Sequence, residues 1–95
     1  MSAEVTYIAG PITGIDDFKS NFDRAAEGLR ARGIIPLSLA MLPYGLSQAE
    51  YMDICFAMIR ASNMVYFLSG WLNSEGAVAE FHYAKKIGKV LEYAT

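Results

Sequence analysis

The sequence predicts an α/β fold: a Rossmann-like three-layer sandwich with a small, mainly parallel four-stranded sheet and about three helices. Three observations predict it. Short runs rich in β-branched and aromatic residues, at Val5–Ala9, Ile34–Leu37, Met64–Leu68 and Val90–Tyr93, alternate with stretches of helical periodicity. The connections are short and punctuated by glycine or proline. The third run holds almost no polar residue, as a strand covered on both faces should. Such alternation implies parallel pairing through right-handed crossovers.

Val5 to Ala9 is the first strand and stops at Gly10-Pro11. Residues 10 to 16 form a loop, and Asp16 or Asp17 is placed to cap the helix that follows. In that helix Phe18, Phe22, Ala25, Ala26 and Leu29 share one face, with Lys19, Asp23, Arg24, Glu27 and Arg30 on the other. Gly33 stands where the helix should end, and Ile34 to Leu37 is the second strand. A loop through Pro43 and Gly45 reaches Ser47-Gln48-Ala49-Glu50, a capping box opening the second helix. Its inner stripe is Tyr51, Ile54, Cys55, Met58, Ile59 and Ser62. Met52 and Phe56 fall off that stripe, either as two partly exposed apolar side chains or, the preferred reading, as part of a subunit interface. After Met64 to Leu68 comes a polar loop, Ser69 to Gly76, then a third helix over Ala77 to Ile87. Gly88 ends that helix, and Val90 to Tyr93 is the last strand.

The 95 residues suffice for one domain, residues 1–95. Hydrophobic residues make up 54% and charged residues 19%, which is on the apolar side of ordinary composition. A domain this small hides a modest share of its surface, so a second copy is expected to cover part of the rest, as a homo-oligomer, dimer or higher. The net charge of −2 and the lack of a lysine–arginine cluster argue against a nucleic acid polymer as partner. A single cysteine, Cys55, allows no internal disulfide and fits a reducing cytoplasm. No signal peptide is visible, and no apolar run approaches the ~20 residues of a membrane helix. The single histidine and single cysteine lie on different helices, so no metal set is expected, and no cofactor motif is present.

Two loops carry the candidate chemistry. Both leave the carboxyl ends of strands, where ligands bind in open parallel sheets. Gly10-Pro11-Ile12-Thr13-Gly14 follows the first strand. Its glycines let a ligand approach the backbone, and the helix beyond offers free N–H groups to an anion. A tight turn alone would need the same residues. The full G-x-G-x-x-G spacing is absent. The second loop, Trp71 to Gly76, leads into the helix carrying Glu80. Helical spacing puts Ala77, Phe81, Ala84 and Gly88 on the sheet side, with Glu80 about 60° from Ala77 at the margin. His82, Lys85 and Lys86 point largely the other way. Glu80 is therefore expected to be partly desolvated. It can attack an anomeric carbon, position a ribose hydroxyl, or merely favour the helix N-terminal half through the dipole. Cys55 reads as a small core residue rather than a nucleophile.

Tyr7-Ile8-Ala9-Gly10-Pro11, Asn63-Met64-Val65-Tyr66-Phe67-Leu68 and Gly76-Ala77-Val78-Ala79-Glu80 with Ala84 and Gly88 resemble the nucleoside 2-deoxyribosyltransferase superfamily, more closely a short branch from bacteria and their phages. The resemblance spans about Val5 to Tyr93. It implies a Rossmann-like fold, an oligomer, and chemistry at the N-glycosidic bond of a deoxynucleoside or its monophosphate. Glu80 matches the catalytic glutamate, Tyr7 and Gly10 the first-strand pocket wall, and Ser74 a phosphate contact of the monophosphate hydrolases. Pro11, Thr13, Gly14, Trp71 and Gly76 complete the expected substrate-binding set. The chain departs from the pattern in three ways. Cys55 falls at or near a ligand-holding aspartate, Asn63 replaces an aspartate, and Thr13 or a neighbour stands where the hydrolases have arginine. The alternatives are a nucleotide-binding module without catalysis and an interaction domain that kept the fold and lost the site.

Overall fold

The computed structural model describes residues 3–94. Strand β1 spans Val5–Ala9, helix α1 Phe18–Ala31, β2 Ile35–Ser38, α2 Gln48–Ala61, β3 Met64–Phe67, α3 Glu75–Lys86 and β4 Val90–Tyr93. Short 3-10 turns occur at Leu39–Met41 and Trp71–Asn73. The sheet is wholly parallel, in the order β2-β1-β3-β4. The α/β class, the four strands and the three helices are those the sequence predicts.

The alternation of β1 builds the layers. Tyr7 and Ala9 face one side, where they pack with Cys55 and Ile59 of α2, Val65 and Phe67 of β3, and Ala77 and Ala84 of α3. Ile8 faces the other side and packs with Phe22, Ala26 and Leu29 of α1 and with Ile34. Burying a side chain of this size contributes about 1.5–3 kcal/mol, so the two clusters hold the helices onto the sheet.

Element ends follow local chemistry, with some corrections. The second strand starts at Ile35 rather than Ile34. Gly33, at φ +77°, turns α1 off, and the N–H of Ile34 donates back to the Leu29 carbonyl at 3.0 Å. Ile34 therefore completes the helix cap, its side chain buried in the same cluster as Leu29. Pro36 is tolerated because β2 is an edge strand. Gly88, at φ +79°, ends α3 in the same manner, with Lys89 donating to the Ala84 carbonyl at 3.0 Å. The capping box forms as expected: Ser47 Oγ accepts from the Glu50 N–H, and Glu50 Oε1 accepts from the Ser47 N–H. Asp17 occupies the cap position of α1 but makes no side-chain cap bond. Its ψ of 51° is far from the extended value of 163° at Ser47 that aims a capping oxygen at the helix.

The inner face of α2 is narrower than the spacing implies. It is centred on Cys55 and Ile59, which leaves Ile54 37% exposed. Phe56 turns toward α3, where its ring stacks on Tyr83 with centroids 4.2 Å apart. Met52 lines a cavity described below. Asn63 lies at the amino end of the sheet, where its side chain accepts from the Val5 N–H at 2.8 Å and its own N–H donates to the Val5 carbonyl at 2.7 Å. That is the edge opposite the loops that carry the candidate chemistry. No helix among the described residues is long and apolar enough to cross a membrane.

Candidate functional site

Beyond the carboxyl end of β1 lies a cavity of about 190 Å³. Three helix N-terminal regions and the β1–α1 loop surround it. Part of the lining is polar. Tyr7 and Gly10 come from β1 and its exit, Thr13 from the loop, and Ser74, Gly76 and Glu80 from the start of α3. Another part is apolar and aromatic, built by Phe18 and Phe22 of α1, Leu39, Tyr44, and Tyr51 and Met52 of α2, with the Phe18 ring 6.2 Å from Phe22 and 6.5 Å from Tyr44. Gln48 and Cys55 complete the α2 wall.

Glu80 sits at the centre of the buried line of α3 rather than at its margin. Ala77, Glu80 and Ala84 are the buried residues of this helix, and Glu80 is only 6% exposed. Phe81 turns instead toward Phe67 and Trp71, with centroids 5.8 Å and 5.1 Å away. Ser74 starts the helix by accepting from the Ala77 N–H at 3.2 Å, so α3 begins at Glu75, two residues earlier than predicted.

The hydroxyl of Tyr7 donates to Glu80 Oε2. Burial pushes the Glu80 carboxyl up to about 7, and the Tyr7 hydrogen bond works against that rise by favouring the ionised form. Tyr7 itself is held well above the usual phenol value, first by burial and then by the neighbouring Glu80 charge. Tyr7 therefore stays protonated and Glu80 is the group that titrates near neutrality. Among the described residues Glu80 Oε1 has no hydrogen-bond partner. The Cys55 thiol lies beside this pair and is pushed up to about 11 by burial, which leaves it a neutral thiol rather than a nucleophile.

The glycines have distinct jobs. A Cβ on Gly10 would stand 2.9 Å from Leu68 Cβ, so this glycine allows close packing of the strand exit against β3's end. Gly14, at φ +79°, serves the turn and has nothing within 4 Å of a built Cβ. A Cβ on Gly76 would meet only Ser74 Oγ, at 4.0 Å, so neither packing nor a positive φ calls for this glycine.

Of the residues expected to bind substrate, Tyr7, Gly10, Thr13, Ser74, Gly76 and the candidate nucleophile Glu80 meet at the cavity. Pro11, Gly14 and Trp71 do not line it. Pro11 borders a groove with Arg24 and Tyr66 on the α1 side of the sheet. Trp71 packs among Phe67, Phe81 and Tyr93. The aromatic part of the lining follows no motif in the sequence. Its one visible signal is Tyr44, an aromatic residue between Pro43 and Gly45 in a turn, which is 74% exposed. Among the described residues no group of three or more His, Cys, Asp or Glu is arranged to hold a metal ion.

A family model described as "Domain of unknown function (DUF4406)" matches residues 4–93. No curated protein matches the chain. Among solved structures, a protein titled "2-desoxiribosyltransferase from Leishmania mexicana" superposes with a TM-score of 0.77 at 21% sequence identity. The match covers 95% of this chain and 63% of that one, so the chain spans less than two thirds of that protein. At this identity the likeness establishes a shared fold.

Proposed function

The chain belongs to the DUF4406 family, and from its cavity we propose an enzyme that cleaves or transfers at the N-glycosidic bond of a deoxynucleoside or deoxynucleoside monophosphate. The observation that carries this reading is the buried carboxyl of Glu80, held by the Tyr7 hydroxyl in a cavity that aromatic side chains also line. A sugar beside Glu80 would put its anomeric carbon against Oε1, and the aromatic side chains of the lining would take the base. Likeness in fold to a protein titled a 2-desoxiribosyltransferase supports the same reading.

In the proposed reaction the ionised Glu80 carboxylate attacks the anomeric carbon. The carbon–nitrogen bond breaks, its electron pair passes to the base nitrogen, and the departing base takes a proton from solvent. The covalent sugar–Glu80 ester is then opened by a nitrogen of a second base, or by water, either of which gives up a proton as the carboxylate is released. Tyr7 keeps Oε2 fixed and favours the charged form, so attack falls to Oε1. No cofactor enters this scheme.

The reading is tested by incubating the protein with deoxynucleosides and deoxynucleotides, with and without a second base, and following products by chromatography. Free base is expected, and a new nucleoside when a second base is present. Turnover that survives Glu80→Ala, or no turnover on any substrate, rules the reading out. Binding without turnover favours a nucleotide-binding module instead.

A further inference from the structure

Resting on the reading of this cavity as a nucleoside site, we infer that it takes the uncharged nucleoside and discriminates against the 5′-phosphorylated form. Among the described residues the cavity lining contains no lysine, arginine or histidine, and its one ionisable carboxyl is Glu80. Of the neighbouring cations, Lys19 borders the cavity through the lining residue Tyr44, and Arg24 is turned to Asn21. The Lys19 ammonium sits 5.0 Å from the centroid of the Tyr44 ring, and Arg24 donates to Asn21 Oδ1 at 2.5 Å.

The helix N-termini around the cavity are the other natural anion holders, and each is already supplied with negative charge. The first turn of α2 carries Glu50, whose carboxylate accepts from the Ser47 N–H. That contact holds the Glu50 carboxyl below its ordinary range. The first turn of α3 carries Glu75, and Ser74 Oγ already takes the Ala77 N–H. Asp16 and Asp17 immediately precede α1. A phosphate in the cavity would lie against the Glu80 carboxylate and near these acidic helix starts, with no cation in the described lining to pair with it and only Lys19 at its border. The hydroxyls and amide that remain, on Thr13, Ser74 and Gln48, suit a neutral sugar hydroxyl.

The test is calorimetry on matched pairs: 2′-deoxyadenosine and thymidine against their 5′-monophosphates, at low and high salt. The nucleoside is expected to bind at least about ten-fold more tightly at low salt, the ratio narrowing as salt screens the repulsion. Thr13→Arg, which adds a cation at an exposed lining position, is expected to narrow the ratio at low salt. Equal or tighter binding of the monophosphates overturns the inference and leaves the glycosidic reading standing. A ratio moved by neither salt nor Thr13→Arg also overturns it. Binding of neither member of either pair overturns both readings.

Discussion

The phenol of Tyr7 and the carboxyl of Glu80, 73 residues apart in sequence, share a buried hydrogen bond that ties the central strand β1 to helix α3. It joins the two loops of the site at their roots. It also sets an opposition: burial raises the Glu80 carboxyl, and the Tyr7 hydroxyl restrains the rise.

Stability should therefore depend on pH through Glu80. Its folded value of about 7 lies above the ordinary 4.5, so the folded state binds this proton more tightly than the unfolded state. The contribution is fully present below about 4.5, falls as pH rises toward 7 and levels off above it, a loss of roughly 3 kcal/mol at most. Urea midpoints of the wild type and Glu80→Gln at pH 5 and pH 8 measure it. The variant should gain on the wild type as pH rises, and parallel profiles contradict the burial.

The rate should show the opposite slope. A nucleophilic Glu80 must be ionised, so kcat/KM should climb with pH and level above about 7. Tyr7→Phe removes the donor that lowers the carboxyl's value. The midpoint should move to higher pH, and the plateau should drop about 10- to 100-fold. A lower plateau at an unmoved midpoint would assign Tyr7 to packing alone.

Two glycines should respond differently. Gly10→Ala forces a Cβ to 2.9 Å from Leu68 and should cost about 1–3 kcal/mol. Gly76→Ala has room and lies in the first turn of a helix, so it should stabilise by about 0.5–1 kcal/mol. If a ligand approaches the α3 backbone at Gly76, the same change should weaken binding while raising Tm. A Gly76→Ala protein that is more stable and binds nucleosides unchanged removes Gly76 from the site.

Phe56→Ala should destabilise the chain by about 2–4 kcal/mol, because the ring stacks on Tyr83 and packs against the core. Thermal unfolding reads the loss. A change below about 0.5 kcal/mol would mean that the ring is a surface group after all.

The layers were legible because period-2 and period-3.6 patterns report burial directly, and glycine and serine mark helix ends through known hydrogen bonds. Gly33, Gly88, Ser47 and Glu50 all act as the sequence implies. Tertiary placement was less legible. Phe56 lies off the stripe that faces the sheet, yet α3 runs beside α2 and covers it. Helical spacing alone makes Phe81 the inner residue and leaves Glu80 at a margin. An aromatic cluster of Phe67, Trp71 and Tyr93 draws Phe81 aside, and Glu80 takes the central line. That cluster joins residues from β3, a turn and β4, so no local pattern announces it. The same holds for the aromatic part of the cavity lining, which assembles from α1, α2 and the segment between β2 and α2.

Whether Glu80 carries the sugar is read by mass spectrometry of protein quenched during turnover of a deoxynucleoside. The peptide containing Glu80 should gain the mass of one deoxyribosyl unit, and Glu80→Gln should show none. Turnover with no adduct on that peptide, or with the adduct on another residue, would contradict the assignment.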